Sequence, residues 1–270
     1  MSLIDKNSLF RRSAEKLIRI RFFDAPRKDD ALAKELITFS NFKIGHGLRA
    51  QGHTKEALEQ YYLPYAKDLL NRPPDSGISS DDLHSIWVAH MNVGVCQLDL
   101  GQSAEALSQC EQALTAKKML TDREPDNARH ARDWSVTQSY KGLALLALGR
   151  IDDGVKCLQE SVRIAEALVG RDPTNGSFQT ILLEVLHRQA SGFASAARGS
   201  GIAPRRQAEL WQQAIQSLTR CEERLASPEL VRIKSQLKNE EKGIGQELNQ
   251  AREALNKITA ANAATKPSSF

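Results

Sequence analysis

Six histidines are the residues in this sequence best suited to hold a metal ion or to transfer a proton. They are His46, His53, His84, His90, His130 and His187. A zinc-binding helix places two histidines at positions i and i+4 on one face, as in the motif H-E-x-x-H. No pair has that spacing, and His84 and His90 are six residues apart, which turns them to different sides of a helix. We therefore expect each histidine to be a surface or groove residue and not a metal ligand.

The four cysteines could act as nucleophiles or metal ligands, but they are far apart in the sequence, at Cys96, Cys110, Cys157 and Cys221. None belongs to a C-x-x-C pair, which argues against a zinc site and against a disulfide framework. Cys110 falls on the apolar stripe between Leu107 and Leu114. We predict reduced thiols packed on helices.

Two further patterns could serve catalysis. Gly199-Ser200-Gly201 lacks the following lysine and the preceding strand of a phosphate-binding loop, so it indicates a connector between helices. The acidic pairs fall at predicted helix starts or on solvated faces: Asp81-Asp82, Asp152-Asp153 and Glu222-Glu223. The sequence contains no catalytic constellation, and we predict a protein that is not an enzyme and uses no cofactor.

The composition is that of a folded protein with enough chain to bury a substantial core, with 270 residues of which 41% are hydrophobic and 26% charged. No apolar run approaches the ~18 residues that span a bilayer. The N-terminus also lacks the apolar core and cleavage site of a secretory signal. Together with the unpaired cysteines, these features favour the cytoplasm.

The net charge of +4 is concentrated at the N-terminus. Residues 1–28 carry eight basic and three acidic side chains, a net charge of +5, and the other 242 residues sum to −1. A neutral body does not favour a general affinity for nucleic acid. We predict that residues 1–28 form a basic capping helix with its arginines in solvent. The alternative is a docking segment for an acidic partner, an anionic membrane surface or nucleic acid.

The chain repeats a pattern of small residues with a period of 48. In the first copy the repeated residues are Gly94, Gly101, Ala106, Ala113, Pro125 and Asn127. In the next copy they are Gly142, Gly149, Gly154, Ser161, Pro173 and Asn175. Forty-nine residues upstream of the first copy, Gly45, Gly52 and Ala57 repeat its core. A fixed period of this size is typical of stacked supersecondary units.

The repeat predicts an all-α protein built from helix pairs over about residues 29–77, 78–127, 128–175 and 176–228. In the first unit Pro64 lies inside the second helix and should kink it. The fourth unit is degenerate, because Ala190 and Ala197 replace the expected glycines. A terminal repeat is expected to lose the pattern in this way.

A last helix is predicted over residues 229–261, following Ser227-Pro228. Its apolar residues have heptad spacing except for a four-residue slip between Ile244 and Leu248, where Gly243 and Gly245 also lie. We favour a helix that caps the solenoid, and the alternative is a free coiled coil that forms a homo-oligomer. Residues 262–270 have no apolar stripe and are predicted to be a disordered tail.

The spacing Gly-x6-Gly-x4-Ala-x6-Ala at Gly94, Gly101, Ala106 and Ala113 resembles the tetratricopeptide repeat. The resemblance covers about residues 31–228, and it implies a solenoid, or α-α superhelix, of antiparallel helix pairs. The period of 48 exceeds the ~34 of that family. The extra residues fit about two added turns on each helix.

The same resemblance extends to a narrower group of proteins. Long repeats that end in an Arg-Asp-Pro-x-Asn loop, as at Arg171 to Asn175, look like those in the C-terminal portions of bacterial signalling proteins, including serine/threonine kinases. The family's usual tryptophan position holds other residues here, Asn41, His90 and Gln138. This chain lacks a kinase domain, so the resemblance implies a free-standing or excised interaction module in signalling.

In tetratricopeptide-like proteins the first helix of each pair lines a concave groove that holds a peptide or a helix of another protein. Mapped by position, the resemblance assigns to this groove Phe39, Phe42, Lys43, His46 and Arg49 from the first repeat, Val88, Met91, Asn92, Val95 and Asp99 from the second, and Val136, Ser139, Tyr140 and Leu143 from the third. Asn92 matches an asparagine that chaperone-binding members use on a peptide. The lysines and arginine of that clamp are not matched, and Lys43, His46 and Arg49 could instead bind an acidic segment.

These features predict a non-enzymatic scaffold or adaptor that binds a peptide or helix of a partner protein. The alternative is a regulatory subunit whose basic N-terminal segment contacts nucleic acid or an anionic membrane surface while the solenoid holds a protein.

Overall fold

The computed structural model describes residues 31–70, 77–231 and 238–264, and these residues contain helices and turns but no strand. The predicted basic cap at residues 1–28 lies outside the described residues, as do the last six residues of the predicted tail. No helix in the described ranges combines the length and the apolarity that crossing a membrane requires.

The helices follow one another with short connections. The first unit contains α1 (Ala31–Ala50), the one-turn α2 (Thr54–Glu56), a π-helix (Ala57–Tyr62) and α3 (Leu63–Leu70). The following helices are α4 (Ser80–Asp99), α5 (Ser103–Arg123), α6 (Ala128–Ala147), α7 (Ile151–Arg171), α8 (Gly176–Ala197) and α9 (Pro204–Leu225). The chain then forms α10 (Pro228–Val231) and α11 (Lys238–Ala264).

Consecutive helices pack as pairs, and the pairs stack in chain order. Helix α4 packs against α5, α6 against α7, and α8 against α9. Contacts between α5 and α6, between α7 and α8, and between α6 and α8 join successive pairs. The predicted all-α solenoid of helix pairs is therefore confirmed.

The repeated glycines at positions 52, 101 and 149 end the first helix of the first three pairs. Each has a positive φ, between +76° and +83°, which glycine adopts without steric cost. The residue after each glycine donates its backbone N–H to a carbonyl five residues earlier. In the second pair, for example, Gln102 donates to the carbonyl of Gln97 at 2.8 Å. This is the Schellman type of helix ending, which reverses the chain in few residues.

The repeated asparagines begin the next unit. The side-chain oxygen of Asn127 accepts from the backbone N–H of Arg129, and that of Asn175 accepts from Ser177 and Phe178. These bonds satisfy backbone donors that a helix start leaves unpaired. The recurrence of asparagine in the loops is explained by this N-cap.

The other set of repeated glycines lets the two helices of a pair approach closely. A Cβ added to Gly94 would lie 2.9 Å from Cβ of Gln109, and one added to Gly142 would lie 2.7 Å from Cγ of Leu158. In both cases the backbone carbonyl at the repeat-equivalent position, Ala106 or Gly154, is also within 3.5 Å. The two glycines thus occupy equivalent surroundings, as the repeat requires.

We expect Gly142→Ala to lower the free energy of unfolding by about 1–3 kcal/mol, because the added methyl would overlap a packed leucine and a backbone oxygen. Urea denaturation measures the change. Gly170→Ala is the matched control, since Gly170 lies in α7 with no atom within 4 Å of the added methyl. That control should be neutral or slightly stabilising, and an equal loss in both variants would contradict the close-approach explanation.

Pro64, which was predicted to kink its helix, lies two residues after a π-helix. The six residues Ala57–Tyr62 before the proline have π-helical hydrogen bonding, and the N–H of Leu63 bonds to the carbonyl of Leu58, five residues earlier. Proline removes a backbone donor and crowds the preceding turn. A widened turn is one known response to such a break.

The largest hydrophobic cluster runs through α7, α8 and α9 to the C-terminal helix. Ile244, Leu248 and Ala251 of α11 are buried in this cluster, and α11 packs against α9. The prediction of a capping helix is therefore confirmed. The helix extends to Ala264, three residues beyond its predicted end at 261, and residues 232–237 before it lie outside the described residues.

Candidate binding groove

A small cavity of about 150 Å³ lies between the first helices of three successive units. We call it the small cavity, and its lining residues are His46, Arg49, Tyr62, Trp87, Met91, Asn92, Val95, Val136 and Tyr140. Seven of these nine were predicted as groove residues, and the exceptions are Tyr62 and Trp87. The structure thus brings predicted residues from α1, α4 and α6 to one site.

Helical spacing explains how the lining is assembled. Trp87, Met91 and Val95 follow one another at four-residue steps on α4, which places them along one face. Val136 and Tyr140 do the same on α6 and pack against Met91 and Val95. The wall of the small cavity is therefore apolar and aromatic, and its polar groups come mainly from α1.

A second cavity of about 770 Å³ is lined by α4, α6 and α8, by the turn at Gly149 and by the turn at residues 199–202. We call it the trough. Its lining includes the predicted residues Asp99 and Leu143, which lie one turn beyond Val95 and Tyr140. Ser191 and Ser195 of α8 line its far side and are exposed. The small cavity and the trough together form what we call the groove, which extends from α1 to α8.

An ion pair joins the linings of the two cavities. Nε of Arg49 donates to Oδ2 of Asp99 at 2.5 Å, which joins α1 to α4. Both residues were predicted for the groove. Because both side chains are partly exposed, the pair contributes little to stability by itself, and it places a guanidinium next to the small cavity.

Cationic side chains lie near residues of the small cavity, and two of them, Arg49 and Arg188, are each paired with a carboxylate. Burial and the nearby charges of Arg49 and Lys43 lower the pKa of His46, so its ring is neutral at neutral pH. The guanidinium of Arg188 on α8 lies 4.7 Å from the ring centroid of Tyr140, a cation–π contact. Arg188 could not be found from the repeat, because it comes from a unit whose repeat pattern is degenerate.

Tyr62 forms one end of the small cavity and is almost fully buried. Its ring tip lies against Gly45 of α1, where an added Cβ would be 2.7 Å from Cζ. His46 and Phe42 contact the same ring, with centroid distances of 5.9 and 6.0 Å. Burial raises the pKa of Tyr62, so the phenol keeps its proton and remains a hydrogen-bond donor.

The remaining predicted groove residues have different positions. Ser139 is a correction: it is fully buried and donates to the carbonyl of Val136, so it is not at the groove surface. Phe42 packs beside Leu58 and Tyr62 in a hydrophobic cluster, and Val88 lies on α4 outside both cavity linings. Lys43 is exposed next to His46. The side chain of Phe39 lies outside the described residues.

A buried ionic network supports the groove from behind and was missed by the sequence analysis. Nζ of Lys117 on α5 donates to Oδ2 of Asp133 on α6 at 2.7 Å, and these side chains are 0% and 1% exposed. Lys117 also lies 4.3 Å from the ring centroid of Trp87. The indole N–H of Trp87 in turn donates to Thr137 at 2.9 Å. The network therefore fixes a groove residue relative to α5 and α6.

Three histidines differ from the prediction that all would be surface or groove residues. His90 is buried beside Gln109, and His130 is buried beside Glu124. His84 is half-buried, stacks on Trp87 and lies 3.3 Å from Nζ of Lys117. Burial and the charge of Lys117 lower the pKa of His84 to about 4, so its ring is neutral and can accept from the lysine. A buried histidine is stable here because a hydrogen-bond partner faces it.

The sequence analysis predicted no metal site, and the structure shows how the possible ligands are arranged. In the described part of the chain, no three side chains of histidine, cysteine, aspartate or glutamate lie together so that they could hold a metal ion. Three cysteines are buried and Cys157 is half-buried, and all four are free thiols. Burial raises the pKa of Cys110 and of Cys221 to about 12.

Neither a protein-family model nor a curated protein sequence matches this chain. The structure itself defines the class of this protein, an all-α solenoid of stacked helix pairs. The likeness to tetratricopeptide repeats stays a proposal.

Proposed function

We propose that this chain is a non-enzymatic scaffold or adaptor protein with a tetratricopeptide-like fold, acting in the cytoplasm in signalling. Its groove binds a peptide or a helix of a partner protein. The observation that supports this proposal is that two cavities lie on the first helices of successive units, with their linings linked by the ion pair of Arg49 and Asp99. Stacked repeats of this kind create extended surfaces suited to an elongated ligand.

The shape of the groove favours a polypeptide ligand. The small cavity has the volume of a site for one ring-sized apolar group, since an apolar cavity of about 150 Å³ accepts benzene. The larger trough is lined by α4, α6 and α8. A peptide can place one side chain in the small cavity and extend along the trough, as anchored interfaces do.

The composition of the lining is also that of an interface. Tryptophan, tyrosine, methionine and arginine are enriched where proteins bind one another. Trp87, Tyr140, Met91 and Arg49 all line the small cavity. The apolar walls would supply affinity, and the polar groups of His46, Arg49 and Asn92 would orient the ligand.

Blocking the trough tests the proposal. Ser191→Arg/Ser195→Arg places two long side chains in the trough from exposed positions of α8, so the fold loses no packed group. We expect this variant to lose the proteins that affinity capture recovers with the unchanged chain, as measured by quantitative mass spectrometry.

Ser108→Arg is the matched control, because Ser108 is exposed on α5 and lines neither cavity of the groove. It should recover the same proteins as the unchanged chain. Recovery of the same proteins by the trough variant would contradict the assignment of the groove.

A further inference from the structure

The helix α11 lies beside the wall of the trough. Oε2 of Glu247 on α11 is 3.1 Å from Nε2 of His187 on α8. His187, Ser191 and Ser195 follow one another at four-residue steps, which places them along one face of α8. The two serines line the trough. The face of α8 that lines the trough is therefore the face that α11 flanks.

Helix α11 runs back along α9 towards the trough. A Cβ added to Gly245, near the start of α11, would lie 3.9 Å from Oε1 of Glu222, near the end of α9. A helix running in the opposite sense would pass beyond Leu225, where α9 ends. The second half of α11 instead still packs against the largest hydrophobic cluster, through Ala254, Leu255 and Ile258. The two helices are therefore antiparallel.

The end of α11 falls beside the turn that closes the trough. Nineteen residues separate Gly245 from Ala264, where α11 ends, and nineteen also separate Glu222 from Ala203, the N-cap of α9. Because each helical residue adds about 1.5 Å along the axis, Ala264 lies at about the level of Ala203. The preceding residues 199–202 line the trough. The chain thus leaves α11 at the far edge of the trough.

The trough has room for an extended segment and an apolar wall to hold it. Its volume is about 770 Å³, and on the α8 side its lining consists mainly of serine, glycine and alanine. Larger apolar side chains come from α6 and from the start of α7, namely Leu143, Leu146 and Ile151. Leu143 and Ile151 are only partly buried, so an aromatic ring laid on them would remove apolar surface from water.

We propose that residues 265–270 of this same chain bind along the trough and place the ring of Phe270 on Leu143 and Ile151. These residues follow α11 directly. Six extended residues span about 20 Å, and neighbouring helices lie about 8–10 Å apart. Because α8 packs against α6, the segment is long enough to pass over α8 and reach α6. Its single charged side chain, Lys266, stays close to α11.

The consequence of this contact is regulation of the groove, and that consequence rests on the proposed function. While Phe270 covers Leu143 and Ile151, a partner peptide cannot extend along the trough, so the two compete. A short tether gives the segment an effective concentration on the order of millimolar. The apparent affinity for the partner falls with the fraction of molecules whose trough is open. One aromatic anchor needs no apolar stripe, which is the feature whose absence predicted disorder for these residues.

Disulfide trapping in the full chain tests where the segment lies. In Ser195→Cys/Ser268→Cys the second cysteine should pass over the first, because residue 268 is more than halfway from Ala264 to Phe270. We expect an intramolecular disulfide in a buffer of oxidised glutathione, identified by mass spectrometry of peptides from the non-reduced monomer. It should form about tenfold faster or more than in the control, because contact raises the effective concentration of the two thiols.

Arg205→Cys/Ser268→Cys is the matched control for trapping. Arg205 is exposed at the start of α9, within about one helical turn of the level of Ala264, and it lines neither cavity of the groove. A segment that moves freely in solvent would reach both positions. Equal rates at residues 195 and 205 would therefore contradict the proposal.

Phe270→Ala separates docking of the segment from mere proximity. Added to Ser195→Cys/Ser268→Cys, it should slow the disulfide to the rate of the control, because the segment loses its apolar contact with α6. Lys266→Ala, in the same segment, should leave the rate unchanged. An undiminished rate without the ring would contradict the proposal.

Two further outcomes separate this inference from the proposed function. A disulfide that joins two copies, seen as a dimer on a non-reducing gel, would contradict the inference, since the segment would then come from a second chain. The proposed function is tested separately by affinity capture with Ser191→Arg/Ser195→Arg. If trapping succeeds but Phe270→Ala captures no more of the partner proteins than the unchanged chain does, the segment occupies the trough and competition with the partner is contradicted.

Discussion

Asp133→Ala is expected to lower the free energy of unfolding by about 3–5 kcal/mol, the cost of leaving a buried charge without its partner. Lys117 is fully buried, and Asp133 is the carboxylate that its Nζ bonds. The positive charges of Arg129 and Arg132 also act on Lys117, so removal of the carboxylate leaves the ammonium among other cations. Urea denaturation followed by circular dichroism measures the loss.

The double variant Lys117→Met/Asp133→Leu provides the control. Replacing a buried ion pair by apolar groups of similar volume is often neutral or stabilising. This variant should therefore recover most of the stability that Asp133→Ala loses. If it is as unstable as the single variant, the loss comes from disturbed packing or from the broken bonds between Arg132 and Asp133, and not from the unpaired ammonium of Lys117.

The loss in Asp133→Ala should also depend on pH. Burial lowers the pKa of Lys117 from its usual value, and the hydrogen bond and charge of Asp133 oppose that shift. At pH values between the lowered pKa of Lys117 in the folded chain and its usual pKa in the unfolded chain, the unfolded chain binds more protons. Stability therefore rises with pH in that interval. Without Asp133 the folded pKa falls further and this interval widens. The deficit of the variant should therefore shrink as the pH rises towards the usual pKa of lysine, and a constant deficit would contradict this account.

Leu158→Ala is expected to cost about 2–5 kcal/mol, the range for truncating a fully buried leucine. Leu158 is 0% exposed, and it fills the space that glycine leaves on two neighbouring helices. A Cβ added to Gly142 of α6 would lie 2.7 Å from its Cγ, and one added to Gly192 of α8 would lie 3.2 Å from its Cδ1. The surrounding backbones are already in close contact, so the cavity left by the truncation should collapse little.

Leu148→Ala serves as the matched control for this truncation. Leu148 is 41% exposed at the end of α6, so its loss should change the free energy of unfolding by less than about 0.5 kcal/mol. Thermal unfolding of both variants gives the comparison. Equal effects would mean that Leu158 does not hold α6, α7 and α8 together as the structure indicates.

The fold could be predicted from the sequence because its main signals are local. Gly101 and Gly149 have a positive φ, and Gly94 and Gly142 lie where a side chain would overlap the next helix. Such requirements act on single positions, so they recur with the period of the structure. The C-terminal helix could be predicted for a similar reason. Its apolar residues recur at helical spacing, and such an apolar face is stable when it packs against another part of the protein.

The groove could be predicted only in part. Met91, Asn92, Val95, Val136 and Tyr140 were found from their positions in the repeat, and the structure gathers them around one cavity. Tyr62 was missed because it comes from a second helix, at the π-helical segment, where the regular repeat geometry is broken. Ser139 was placed wrongly because a shift of one residue turns a helical side chain by about 100°.

The sequence by itself determined the helices, the turns that join them and the order in which the pairs stack, because glycine turns, asparagine caps and apolar stripes act through neighbouring residues. Only the tertiary structure decided which polar side chains are buried. Lys117 and Asp133 are sixteen residues apart on different helices, and each would be assigned to the surface by its charge alone. Their burial depends on each other, on Trp87 and His84 beside Lys117, and on Arg132, which donates to Oδ1 of Asp133. Charges enter a core only with partners in place, and partners on separate helices meet only after the helices pack.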